Sequence, residues 1–247
     1  MVTTAKGVFR RFSIVALLML ASISLVNSAK ADQLGGNLTV DNAVFVYVST
    51  SDSTLGTLVA SGNNWQAPLT ISSALLTPGE TNYLQVEAIN YGIWGGFIGQ
   101  FTLSDNSFQF ANGSQTLLTN TADWTGSYNS VYFADTPWGT GDACDPSSGA
   151  YGCTVSAQPW VPPTGGVTSF GPNSVSPWGT VSGISSDANW IWPSDSNRLP
   201  GGIYGACHTC TVDFSPAITP TPEPGTLTLL TGGLALLPLI RRRRKTR

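Results

Sequence analysis

Lysine and arginine are almost missing from the interior of this chain. Of the eleven in 247 residues, ten sit at the ends, namely Lys6, Arg10, Arg11 and Lys30 at one and Arg241, Arg242, Arg243, Arg244, Lys245 and Arg247 at the other; only Arg198 lies between. Against it stand 13 Asp or Glu between Asp32 and Pro222, so that stretch carries a net charge of -12, far from the -3 of the whole chain. An acidic body cannot neutralise phosphates, which leaves nucleic acid and anionic lipid as poor partners. Histidine is equally scarce. His208 is the one in the chain, which excludes His-rich metal sites and leaves a single base for a Ser-His-Asp arrangement, with no G-x-S-x-G elbow beside it. Glycoside hydrolysis needs two facing carboxyl groups. The body offers only Glu80, in a Pro-Gly turn, and Glu87, on a strand that reads as solvated on one side, besides scattered Asp. No catalytic residue is assigned and the chain reads as a non-enzyme; a secreted hydrolase acting on polysaccharide is the alternative.

The ends hold what the middle lacks. Lys6, Arg10 and Arg11 precede an apolar run over residues 12–26 and the small-x-small triplet Ala29-Lys30-Ala31, the pattern of a secretory signal peptide over residues 1–31 with the mature chain beginning near Asp32. An uncleaved N-terminal anchor is the other reading. At the far end come Pro222-Glu223-Pro224, a charge-free stretch over residues 225–240, and the cluster Arg241, Arg242, Arg243, Arg244 in a basic tail over 241–247. Guanidinium groups are costly to move through hydrocarbon, so the cluster stays on the cytoplasmic side and all that precedes it lies outside. Sixteen residues of helix at about 1.5 Å each give roughly 24 Å, short of the ~30 Å hydrocarbon core, and Gly232, Gly233 and Pro238 weaken the helix further. The tripeptide, apolar span and arginine run, in this order, resemble the PEP-CTERM sorting signal of Gram-negative bacteria; Thr221 departs from the Val that often precedes the tripeptide. That resemblance implies processing by an exosortase as well as signal peptidase, a transient inner-membrane anchor, and a final place in the periplasm, at the cell surface or in the extracellular matrix. An ordinary C-terminal anchor is the alternative.

The body is rich in Gly, Ser, Thr, Asn and aromatic residues, a composition that disfavours helices and favours strands joined by turns. Apolar or alternating runs predict strands over 43–49, 55–60, 69–71, 83–90, 97–103, 107–110, 115–118, 128–134, 189–192 and 211–214. Ser51-Asp52-Ser53 makes the first pair a hairpin, and Leu84, Val86 and Ala88 alternating with Gln85 and Glu87 predict a half-buried strand. The expected fold is all-β, a β-sandwich or jelly roll over residues 32–215, followed by a Pro-rich linker over 216–224 and the transmembrane sorting helix over 225–240. The succession DNAVFVYV, GNNW, LLTPGETNYLQVEAIN, GGFIGQFTLSDNS, NTADW and ANWIW resembles the galactose-binding-like jelly-roll modules attached to bacterial and plant glycosidases. The resemblance implies that fold and, by kinship, sugar binding. Residues 137–186 depart from it as a long Gly/Pro/Ser-rich excursion. Within it PWGT recurs at Pro137 and Pro177, two turns whose Trp138 and Trp178 fold back on the sandwich.

All four cysteines are in the exported part: Cys144, Cys153, Cys207 and Cys210. Outside the cytosol an even count favours disulfides; of the three pairings four cysteines allow, Cys144 with Cys153 and Cys207 with Cys210 close the shortest loops. A zinc knuckle and a redox C-x-x-C compete with this, but the first pair is spaced wrongly for zinc and no helix follows the second. No cofactor is expected. Asp135, Asp142 and Asp145 are a weak structural calcium candidate, against the plainer reading of hydrated surface charges.

Aromatic rings supply the remaining chemistry, because sugar C–H faces stack on Trp or Tyr while hydroxyls meet amides. Trp94 with Tyr91 and Asn90, in a Gly-rich loop, is the most site-like group, and Trp65 beside Asn63 and Asn64 the second. The sequence thus points to an exported surface or matrix protein, active in cell-envelope or biofilm organisation, with exopolysaccharide as the expected ligand.

Overall fold

A computed structural model describes residues 32–90, 95–132, 160–194 and 209–221. They belong to one compact unit, Ala31–Thr221. The two terminal targeting segments, Trp94 and Tyr91, Cys144, Cys153, Cys207, and Asp135, Asp142 and Asp145 lie outside the described residues.

Thirteen strands follow one another with no helix among the described residues: β1 (Gln33–Asp41), β2 (Ala43–Ser49), β3 (Thr57–Gly62), β4 (Leu69–Leu75), β5 (Asn82–Asn90), β6 (Gly96–Leu103), β7 (Phe108–Phe110), β8 (Thr116–Leu118), β9 (Gly126–Tyr132), β10 (Val167–Pro172), β11 (Asn189–Pro193), β12 (Thr209–Phe214) and β13 (Ala217–Pro220). One sheet runs β10-β11-β6-β1-β4 with β8 against β6; the other runs β3-β2-β5-β12-β9, with β13 joining β5 to β7. All pairings are antiparallel. The expected all-β sandwich is therefore the architecture, and the β2–β3 hairpin pairs as expected, Val44 with Gly62 and Val48 with Thr57.

Alternation sends Leu84, Val86 and Ala88 of β5, Val212 and Phe214 of β12, Leu34, Leu38 and Val40 of β1, and Phe97 and Phe101 of β6 into one core between the sheets. At its centre the Phe97 ring lies 5.1 Å from Trp124 and 5.0 Å from Phe214, and the Trp124 indole N–H donates to the Leu118 carbonyl at 3.0 Å. The two backbones of β1 and β6 approach so closely at Gly36 that an added Cβ would sit 2.5 Å from the Gln100 carbonyl oxygen.

Both sheets also have a covered outer face. Over the first, the loop at residues 173–188 lays Trp178, Val181, Ile184 and Ala188 on Ile98 and Trp190. The buried Asn173 amide fastens this loop: Oδ1 accepts from Val181 N–H at 2.7 Å, and Nδ2 donates to the carbonyls of Val181 and Ile184 at 2.9 and 2.8 Å. Over the second, Gln85 gathers the β2–β3 loop, accepting from Gly56 N–H and donating to the Ser51 and Thr54 carbonyls. Trp160 adds its indole N–H to the Asp52 carbonyl at 2.7 Å.

This cover corrects the reading of β5 as half-buried. Gln85 is 0 % and Glu87 1 % exposed, because local loops roof the face that alternation assigns to water. Trp178 folds back on the sandwich as expected; its PWGT counterpart at Trp138 lies outside the described residues. The body also runs past residue 215, where a linker was expected, because β13 pairs Ala217 with Tyr83 and Pro220 with Phe108.

Candidate functional site

The register fixes which loops share an end of the sandwich. Ala43 opposes Ile89, Val44 opposes Gly62, Cys210 opposes Asn90, and Thr209 opposes Tyr132. In the other sheet Asp41 opposes Gly96 and Leu38 opposes Leu69. Asn42 ties the two sheets there, its backbone N–H donating to the Ile89 carbonyl at 2.8 Å. Of the two groups that the sequence singles out, Asn90 closes β5 and Asn63, Asn64 and Trp65 belong to the β3–β4 connection at the same end.

A cleft of about 180 Å³ opens at this end, with Asn42, Asn63 and Asn64 around a floor that includes Val40, Val44 and Leu69. Its lining carries no ionisable side chain. The β3–β4 connection is shaped by its own backbone: Asn64 Oδ1 accepts from Gln66 N–H at 3.1 Å and the Asn64 carbonyl accepts from Ala67 N–H at 3.1 Å. The Trp65 carbonyl is held by the Thr39 hydroxyl at 2.9 Å. Asn63 is left exposed at the rim. Trp65 itself is partly buried, with its ring packed beside the cluster of Trp178 and Trp190, and Asn90 is fully buried. Of the expected binding residues, Asn90 is closed off from solvent, whereas Trp65 keeps part of its surface exposed. Cys210 lies in β12, paired with Asn90 and Val131.

Beside the cleft, Asp41 stands between two donors. Trp178 Nε1 donates to Oδ2 at 2.9 Å and Asn42 Nδ2 to Oδ1 at 2.6 Å. Burial pushes the Asp41 carboxyl above its ordinary range, with the two hydrogen bonds opposing the shift. A second, larger cavity of about 360 Å³ lies along Gly126, Ser127 and Tyr128 of β9 and Thr164, Gly165 and Gly166, reaching Ser194. Ser127 Oγ is engaged there by the amides of Thr164 and Gly165 at 3.0 and 3.3 Å, and apart from Tyr128 the lining residues are small.

Sequence reasoning set Glu87 aside as a solvated strand residue and did not single out Asp213. They are direct cross-strand partners, each 1 % exposed, on the outer face of the second sheet. Opposed positions put their Cβ atoms about 4.5–5.5 Å apart. Tyr47 on β2 donates its hydroxyl to Glu87. The Val161 N–H and the Asn129 side chain face Asp213 without closing a well-aligned hydrogen bond on either of its oxygens. Burial, then the Glu87 charge, pushes the Asp213 carboxyl up to about 8, and burial, then the charges of Glu87 and Asp213, raises the Tyr47 phenol. The described residues contain no Lys, Arg or His at all, so none of them neutralises this pair. The only sequence signal was an acidic residue on each of two apolar strands; the pairing that unites them joins positions 126 apart in the chain.

No cluster of three or more His, Cys, Asp or Glu side chains that could hold a metal ion occurs among the described residues. No helix among them is long and apolar enough to cross a membrane. Comparison with protein-family models, with curated proteins and with solved structures finds no match.

Proposed function

We propose that this chain is a non-enzymatic exported protein of the bacterial cell surface or extracellular matrix, sorted by its PEP-CTERM signal, whose jelly-roll, galactose-binding-like sandwich holds neutral polysaccharide at one end. The observation that supports this best is the uncharged, amide-rimmed cleft of Asn42, Asn63 and Asn64, at the same end as Asn90, the last residue of β5. Amides offer both donors and acceptors to sugar hydroxyls, and the apolar floor suits a C–H face. The cleft is smaller than the ~300–1,000 Å³ pockets that enclose drug-sized ligands, which fits a single ring of a longer glycan. Asp41 beside the cleft and the acidic balance of residues 32–222 favour neutral over acidic sugars.

A hydrolase reading draws less support. Glu87 and Asp213 form the facing carboxyl pair that such chemistry wants, but they are sealed under loops and neither cavity reaches them.

Titration calorimetry of the secreted protein against neutral exopolysaccharide tests the proposal. Binding should be measurable, and should be lost in Asn63→Ala and in Trp94→Ala with melting temperatures within a degree or two of the parent. Binding unchanged in both variants, or no binding to any neutral glycan on an array, would remove the cleft from the account.

A further inference from the structure

Asp32, the residue directly before β1, is fully buried. Its Oδ1 accepts from the Gln33 N–H at 2.7 Å and, from the β6–β7 turn, the Ser104 N–H at 2.8 Å, the Ser104 hydroxyl at 2.7 Å and the Asp105 N–H at 3.2 Å. Asp105 turns its own Oδ1 away to the Ser107 N–H. The Asp32 backbone carbonyl accepts from the Leu76 N–H at 3.0 Å, just past β4. Asp32 thus fastens the start of β1 towards both of its sheet neighbours, β6 and β4. Its Oδ2 is the exception: that oxygen is buried without a hydrogen-bond partner.

A carboxyl group crowded with donors on one oxygen and bare on the other is half satisfied, and a buried charge needs a partner. The atom closest along the chain that can acquire a positive charge is the Asp32 nitrogen itself. In the precursor it is a neutral amide joined to Ala31. Hydrolysis of the Ala31–Asp32 bond adds one water, leaves a carboxylate on Ala31 and frees an amine on Asp32; that amine takes a proton from solvent at neutral pH, because an α-amino group titrates at about 7.7–8.0. The ammonium and the carboxyl group share one Cα, so bond lengths alone hold them within about 5 Å, where opposite charges away from bulk water attract strongly. The ammonium also carries three donors where the amide had one. Between Asp32 and Pro222 the sequence offers a single other permanent cation, Arg198.

We propose that cleavage after Ala31 completes the fold: the ammonium it creates on Asp32 becomes the partner of the buried Asp32 carboxyl group, and the mature body is more stable than the same body with its leader attached. The inference rests on the export reading, and on its cleavage site in particular. Maturation then acts as a stability switch, because β1 gains its last fastening only once the leader is gone, on the far side of the membrane.

The three lysines, Lys6, Lys30 and Lys245, all lie in the segments that processing removes, so the α-amino group is the only primary amine of the mature chain and a succinimidyl acetate acetylates it alone. Acetylation also restores the uncharged amide of the precursor. The secreted protein should melt about 2–4 °C lower once acetylated, the shift that losing one modest interaction gives a domain of this size. Asp32→Asn should melt at the same temperature with and without acetylation. Sequencing of the N-terminus separates two failures. A product that begins at Asp32 and melts unchanged on acetylation overturns the pairing and leaves export standing; a product that begins elsewhere overturns the cleavage site and the pairing with it. A fall on acetylation that persists undiminished in Asp32→Asn also overturns the proposal. So does a melting temperature indifferent to acetylation but lowered in Arg198→Gln, which would give the carboxyl group a guanidinium partner instead.

Discussion

Trp178 and Trp190 stack with ring centroids 4.4 Å apart and planes 15° from parallel. Trp190 comes from β11 and Trp178 from the loop laid over it, so this contact joins the cover of the first sheet to the sheet itself. Phe170 continues the stack on the other side of Trp178 at 5.9 Å, and Asp41 takes the indole N–H. Trp178→Ala should therefore cost about 3–5 kcal/mol of stability, read from the urea midpoint, whereas Trp178→Phe keeps the stack and should lose less than half as much.

Gly96 lies directly under that stack, where a Cβ would come 2.8 Å from Trp178 and 2.9 Å from Trp190 ring atoms. Gly36→Ala meets backbone instead, 2.5 Å from the Gln100 carbonyl oxygen, and backbone yields less readily than a ring. Both substitutions should destabilise, by about 1–3 kcal/mol, with Gly36→Ala the worse. Equal melting temperatures for Gly36→Ala and the parent would show that β1 and β6 are not held at this spacing.

Gln85 makes three hydrogen bonds to the β2–β3 loop from a position with no exposure. Gln85→Leu leaves the Gly56 amide and two carbonyls without their partner and should cost about 1–3 kcal/mol. Faster exchange of the Gly56 amide is the local readout, since that amide donates to the Gln85 oxygen.

The Asp213 carboxyl has its pKa raised in the folded protein, to about 8 against an ordinary value of 3.8. The sign follows from linkage. Below pH ~4 both folded and unfolded forms carry the proton and the stabilisation is complete; above that the unfolded chain gives up its proton while the folded chain does not. Stability is therefore lost progressively as pH rises towards the folded value, by up to about 1.4 kcal/mol per pH unit. Urea denaturation of Asp213→Asn should show a flatter profile between pH 5 and pH 8, crossing above the parent at the alkaline end. Parallel profiles would remove Asp213 as the source.

Much of the sandwich was legible because its strands alternate or run apolar. The segment 43–49 matches β2 to the residue, and 83–90 and 97–103 miss β5 and β6 by one residue each. The strand missed at the start, β1, lies between β6 and β4 in its sheet, but Gly35, Gly36 and Asn37 break its apolar pattern and it begins directly after the expected signal-cleavage site. Strand β10 carries Gly171 and Pro172 inside a Gly/Pro/Ser-rich stretch, so local propensity pointed to loop while pairing with β11 supplied the strand. The candidate site was legible only in part. Amides and aromatics marked the β3–β4 connection, but only the register shows that it shares an end with Asn90, and nothing local to Gln85 or Glu87 announces a roof built from residues far along the chain.

Export and sorting are the premise on which the envelope function rests, and mass spectrometry of the natively secreted product addresses them most directly. The account predicts a chain that begins at or near Asp32, lacks the segment from about Pro224 onward, and gains about four hydrogen masses on reduction, one pair for each disulfide among Cys144, Cys153, Cys207 and Cys210. Recovery of the intact 247-residue chain in the cytosol, with both ends present and its thiols free, would contradict it.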